Sequence, residues 1–168
     1  ENLSFVWNFG DGSTKEGKNI SHIYNFPGKY LVTLDISDGL NSSQDQIQVD
    51  IYSRDIYISE FLSNPAKQEE EWVEIQNNGS YFIDLSEWGI GNTKDKVDYK
   101  FPKNTFIASN GFFVLSKSVS HIDFSQSDGQ VVLFYPNGQI ADLVEYKNAK
   151  QGVSAVRKSA SEFVWSEN

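Results

Sequence analysis

At 168 residues the chain is long enough for one or two domains, and 39% hydrophobic with 14% aromatic content excludes a wholly disordered polymer. The net charge of −9 leaves no Lys/Arg cluster to release counterions from a duplex, so no nucleic-acid partner is expected. No apolar run nears the roughly 20 residues that span a bilayer, so no membrane insertion is expected within the chain, and the absence of cysteine excludes disulfides, thiolate zinc sites and a cysteine nucleophile.

Period-2 alternation runs through the first third. Phe5, Trp7 and Phe9 share one phase of a strand over 3–9. Tyr30, Val32, Leu34 and Ile36 repeat the pattern, as do Ile47, Val49 and Ile51. Gly10-Asp11-Gly12, Pro27-Gly28 and Asp38-Gly39 punctuate these strands as turns. A boundary falls near Ser53-Arg54, between a strand ending at Tyr52 and another starting at Asp55. Strands are then predicted over 56–61, 72–76, 88–90, 97–101, 112–115, 131–135, 140–146 and 163–165, with Pro136-Asn137-Gly138 as a hairpin turn. No amphipathic helix of ten residues is present. The fold class this implies is all-β, with short strands and frequent turns reading as sandwiches.

Chemistry-bearing residues are scattered. Glu60, Glu74, Asp84 and Glu87 are candidates for a paired-carboxylate hydrolase, but their placement on alternating strands favours architectural roles. His22 sits in a His-x-Tyr turn, where an imidazole can bridge backbone groups. His121 has no ligand partner at metal-binding spacing. The chain carries no G-x-S-x-G elbow, Walker loop or Rossmann fingerprint, and no catalytic or cofactor-binding residue is assigned. Calcium is the one metal to weigh, through Asp11, Asp38 and the run Glu69, Glu70 and Glu71. Asp11 between two glycines also reads as an Asx turn, and Glu69–71 as a solvated loop tip. N-x-S/T sequons begin at Asn2, Asn19, Asn41 and Asn78, and Trp88 and Trp165 read as core residues before sugar platforms.

Two ordered motif sets carry family resemblances. Trp7-Asn8-Phe9-Gly10-Asp11-Gly12, His22-Ile23-Tyr24, the run from Pro27 to Leu34, and Asp38-Gly39 make residues 1–53 resemble the polycystic kidney disease (PKD) domain. Asn8 departs from that family's usual aspartate. The family's opening strands have no counterpart, so the resemblance implies a partial module, completed by upstream sequence or by another copy supplying strands. Residues 55–168 resemble the lamin-tail domain. The matching features are Ile58-Ser59-Glu60-Phe61, Asn64-Pro65, Glu71-Trp72-Val73-Glu74-Ile75, Asn77, Ile83-Asp84-Leu85-Ser86-Glu87-Trp88, Phe101-Pro102, Gly111 to Leu115, Val131 to Phe134, Asp142, Gly152-Val153-Ser154, Arg157 and Phe163-Val164-Trp165.

Together these resemblances imply two immunoglobulin-like β-sandwich modules in tandem. They also imply a non-catalytic spacer, adhesion or interaction role with a protein or glycan ligand, outside the cell or on its surface. The rival expectation is an accessory module of a secreted hydrolase or nuclease, carbohydrate-binding and calcium-stabilised. With neither Met nor a signal segment, the chain reads as a piece of a longer polypeptide whose signal peptide or anchor lies elsewhere.

Overall fold

The computed structural model describes residues 3–166 and divides into two compact units, Glu1–Ser53 and Arg54–Asn168. In the first, β1 (Ser4–Asn8), β2 (Thr14–Glu16), β3 (Gly28–Ser37) and β4 (Ser42–Ile51) form one antiparallel sheet in the order β2-β1-β3-β4. Phe5 lies opposite Ile36, Trp7 opposite Leu34, and Val32 opposite Ile47. Directly opposed residues share a face, so the period-2 pattern collects these side chains on one side. Asn8, Thr33, Asp35 and Gln44 fall on the other. Segment 17–27 is tied to the apolar side. Trp7 Nε1 donates to the Gly17 carbonyl at 3.0 Å, and the Tyr24 ring stacks on Tyr30 at 4.2 Å. Among the described apolar residues of this unit only Phe9 and Val32 are buried.

The second unit is a two-sheet sandwich. Its five-stranded sheet has the order β11-β6-β5-β14-β15. These strands are β5 (Ile56–Leu62), β6 (Trp72–Asn77), β11 (Phe112–Ser116), β14 (Ala155–Ser159) and β15 (Glu162–Trp165). The facing sheet has the order β13-β12-β8-β9, from β8 (Gly89–Gly91), β9 (Tyr99–Lys100), β12 (Gly129–Phe134) and β13 (Ile140–Tyr146). A short pair, β7 (Ile83–Asp84) with β10 (Phe106–Ile107), and one helical turn, α1 (Lys117–Ser120), complete it. Ile58, Phe61 and Ile75 from one sheet and Ile90, Val131 and Leu133 from the other are fully buried. Phe61 on β5 meets Tyr146 on β13 with ring centroids 5.0 Å apart, which joins the two layers. Between Ile58 and Glu60 the β5–β6 register shifts by one residue at Ser59. That bulge keeps both Ile58 and Phe61 inward although they are an odd number of positions apart.

The all-β, immunoglobulin-like reading holds, and several boundaries differ. The strand expected over 97–101 is reduced to Tyr99–Lys100, and that over 88–90 moves to Gly89–Gly91. Trp88 nevertheless packs in the core at 2% exposure. Thr14–Glu16, Ile83–Asp84, Phe106–Ile107 and Ala155–Ser159 are strands that alternation did not reveal. The first three span at most three residues, and the last places Arg157 where an apolar residue was expected. The Pro136-Asn137-Gly138 hairpin forms, closed by Tyr135 N donating to the Gln139 carbonyl at 2.8 Å, with Gly138 at φ 83°.

Candidate functional site

In the first unit the turn after β1 is built around Asp11. Gly10 adopts φ 75° with its Cα so close to β3 that a Cβ would lie 2.7 Å from the Leu31 carbonyl oxygen, so only glycine fits there. Asp11 Oδ1 accepts from Ser13 N at 3.0 Å and from Ser13 Oγ at 2.6 Å, which is the Asx turn anticipated for it. Its Oδ2 lies 2.7 Å from His22 Nε2. The Ser13 hydroxyl, joined by His22, holds the Asp11 carboxyl down at about 2. The His22 ring stacks on Phe9 at 4.0 Å and meets Tyr24 edge-on at 4.7 Å. His22 is therefore a clamp between segment 17–27 and the turn. Its partner is a carboxylate side chain rather than the backbone groups expected from sequence.

The other calcium candidates are engaged one by one. Asp38 Oδ1 caps its turn by accepting from Leu40 N and Asn41 N at 2.8 and 2.7 Å, and these bonds lower its carboxyl from the usual range. Glu69 accepts from Ala66 N at 2.9 Å, and Glu70 accepts from Ser118 N at 2.7 Å. Glu71 corrects the loop-tip expectation. It is 3% exposed, accepts from Phe124 N at 2.8 Å, and stands 3.5 Å from Lys117 Nζ. Lys117, bonded also to Asp123, has its ammonium pushed up from the ordinary lysine value. Glu70 and Glu71 thus fasten α1 and the following segment, while Glu69 closes its own loop. Among the described residues no group of three or more Asp, Glu or His converges on a point where a metal ion could sit.

The hydrolase candidates do not face one another across a cleft. Glu60 on β5 and Glu74 on β6 lie side by side on the outer face of the five-stranded sheet, while Asp84 and Glu87 lie on or after the separate strand β7. The outer face carries a groove of about 600 Å³, whose lining includes the carboxylates Glu60, Glu74 and Asp142 and the cations Arg54, Arg157 and Lys158. Asp142 and Arg157 were legible only as motif positions, and their joint role was not. Asp142 Oδ2 accepts from Ile58 N at 2.8 Å and pairs with the Arg157 guanidinium. Arg157 also donates to the Ile58 and Ala160 carbonyls at 2.6 and 2.7 Å, and lies over the Tyr57 and Phe163 rings at 5.1 and 4.6 Å. This pair stitches β5, β13 and β14 together.

Trp165 is half-buried, its ring 6.3 Å from that of Phe61. Among the described residues the exposed aromatics are instead Phe26, Tyr81, Phe82, Phe106 and Phe112. Asn19, Asn41 and Asn78 are exposed, whereas Asn2 lies outside the described residues.

The lamin tail domain model matches residues 51–148, more than half of the chain and most of the sandwich just described. The chain belongs to the lamin tail domain family. A PKD domain model matches residues 1–51 in addition, so the single-sheet unit and the lamin-tail sandwich form a tandem of two immunoglobulin-like modules, neither of them catalytic in kind. Among curated proteins, collagenase ColA of Bacillus cereus is 38% identical over 50 residues. That stretch is 29% of this chain and 5% of the collagenase, so the chain spans a small fraction of that relative. No solved structure matches. No helix among the described residues is long and apolar enough to cross a membrane.

Proposed function

We propose that this chain is a non-catalytic spacer and interaction module of a larger extracellular protein, its first unit being a partial PKD module and residues 55–168 the lamin-tail module. The observation that supports this most directly is how its polar side chains are used. Asp11, Asp38, Glu71, Asp142 and Arg157 each satisfy backbone or side-chain groups of the fold, which leaves them to hold loops and strands instead of a reacting group. Binding would then come from sheet faces, edges and loops. The test is turnover by the purified chain on glycosides, peptides, phosphodiesters and esters. No rate above background is expected, and a measured turnover abolished by a single Asp, Glu or His substitution overturns the reading.

A second reading is favoured by the collagenase likeness, in which a stretch resembling this chain occupies a small part of a much longer protein. Here the tandem is an accessory unit beside a secreted hydrolase. Co-sedimentation with insoluble collagen, against albumin as a control, separates the two: retention on collagen supports the accessory unit and its absence removes it.

A further inference from the structure

Asn-Gly dipeptides occur in the second unit at 78–79, 110–111 and 137–138, and the asparagine of each is exposed. Glycine leaves its amide nitrogen sterically open and its backbone free to rotate. That nitrogen can therefore reach the amide carbon of the preceding asparagine side chain and close a cyclic imide. In each dipeptide the glycine N–H is already donated: Gly79 to Asn77 Oδ1 at 2.9 Å, Gly111 to the Ala108 carbonyl at 3.0 Å, and Gly138 to the Tyr135 carbonyl at 2.9 Å. Ring closure waits on local opening, so what holds each turn shut decides its rate.

Two of the dipeptides are locked together around Asn77, which is fully buried. Its Nδ2 donates to the Tyr81 and Ala108 carbonyls at 2.7 and 3.0 Å, and its backbone N donates to the Gly111 carbonyl at 2.9 Å. The Gly79 carbonyl accepts from Asn110 N at 3.3 Å and from Ser109 Oγ at 3.0 Å. Opening either turn breaks into this shared network. The hairpin tip is held differently. Among the described residues, every hydrogen bond made by 136–139 ends within 135–139. One of these favours the reaction: Gln139 N donates to Asn137 Oδ1 at 3.0 Å, which polarises the carbon to be attacked and stabilises negative charge developing on that oxygen.

We propose that Asn137 is the site of spontaneous deamidation in the folded chain, with water as the co-reactant. Gly138 N gives up its proton and bonds to Asn137 Cγ, the Cγ–Nδ2 bond breaks, and ammonia leaves carrying that proton. Water then opens the imide at either carbonyl to give aspartate or isoaspartate, with no change of oxidation state. The product adds a negative charge to the tip between β12 and β13, and isoaspartate lengthens the backbone there by a methylene.

The full chain, folded or in urea, is incubated in mildly alkaline buffer and mapped by digestion and mass spectrometry for acid at each site. In the folded chain conversion at Asn137 should exceed that at Asn78 and Asn110 by about ten-fold or more, and in urea the rates should converge to within a few-fold. Asn137→Gln, whose longer side chain closes the imide poorly, should remove most of the acidic species seen on ion exchange while leaving circular dichroism unchanged. Comparable rates at these sites in the folded chain, faster conversion at Asn78 or Asn110, the same lead for Asn137 in urea, or persistence of the acidic species in Asn137→Gln each overturns the proposal. Neither turnover nor a partner is read, so its failure leaves the interaction-module reading intact.

Discussion

Removing the Arg157 side chain tests how the lamin-tail sandwich is closed. Arg157 and Asp142 are 11% and 15% exposed at the side chain, so Arg157→Ala leaves a largely desolvated carboxylate with the Ile58 and Leu143 amides as donors and no countercharge. Breaking a buried pair from one side costs about 3–5 kcal/mol. The Ile58 and Ala160 carbonyls also lose their donor, and the Tyr57 and Phe163 rings lose a cation worth about 0.5–2 kcal/mol. Taking about 4 kcal/mol overall and roughly 3–6 °C per kcal/mol for a unit of this size, the melting temperature of the second unit should fall by about 12–24 °C. Arg157→Lys keeps the charge but not the planar fork, and should fall between variant and wild type. Asp142→Ala/Arg157→Ala should lose less than the sum of its single substitutions, because neither charge is left behind. The assay is urea unfolding followed by far-UV circular dichroism and Trp88 fluorescence. A loss under about 1 kcal/mol for Arg157→Ala, or strict additivity in the cycle, would refute the pair as the closing element.

Three further expectations follow from the same reasoning. Glu71→Ala should destabilise the second unit by about 2–4 kcal/mol in urea, because it orphans the buried Phe124 amide and strips Lys117 of a partner. The Asp11 carboxyl, held down at about 2 against an ordinary 3.8, contributes stability that is present above pH 3.8 and lost as pH falls through 2. Trp7 fluorescence should report that acid limb in wild type, and Asp11→Asn should flatten it. Calcium at about 1 mM, the range of weak extracellular sites, should shift the melting temperature by less than about 1 °C, because the candidate carboxylates are dispersed and each serves a backbone or side-chain donor; a saturable rise would contradict this.

Alternation made the long strands legible because the pleat forces it wherever one face is buried: Tyr30 to Ile36 and Ile140 to Tyr146 needed nothing more. It failed where pairing is brief or where a polar residue occupies an inward position. Tyr99–Lys100 is too short to carry a period, and Arg157 sits where an apolar residue would continue the pattern because its charge is matched by Asp142, 15 positions earlier. Glu71 was misread for a related reason. Three consecutive acids look solvated along the chain, and only the fold shows that the third meets an amide 53 positions away. Asp11 was legible because its partner Ser13 is local; His22, 11 residues on, was not.

The extra residue at Ser59 has a consequence for alignment errors. A strand of strict period two can slide along its neighbour by two positions and still present apolar side chains to the interior. On β5 the phase reverses at Ser59, so Ile56 and Ile58 point inward before it and Phe61 after it, and a slide of any length moves one of these groups outward. The Ser59 hydroxyl, bonded to the Glu74 carboxylate and approaching its carbonyl, pins the reversal to one spot on β6. The irregularity thus works as a vernier, admitting a single alignment of the strands at the centre of the sandwich.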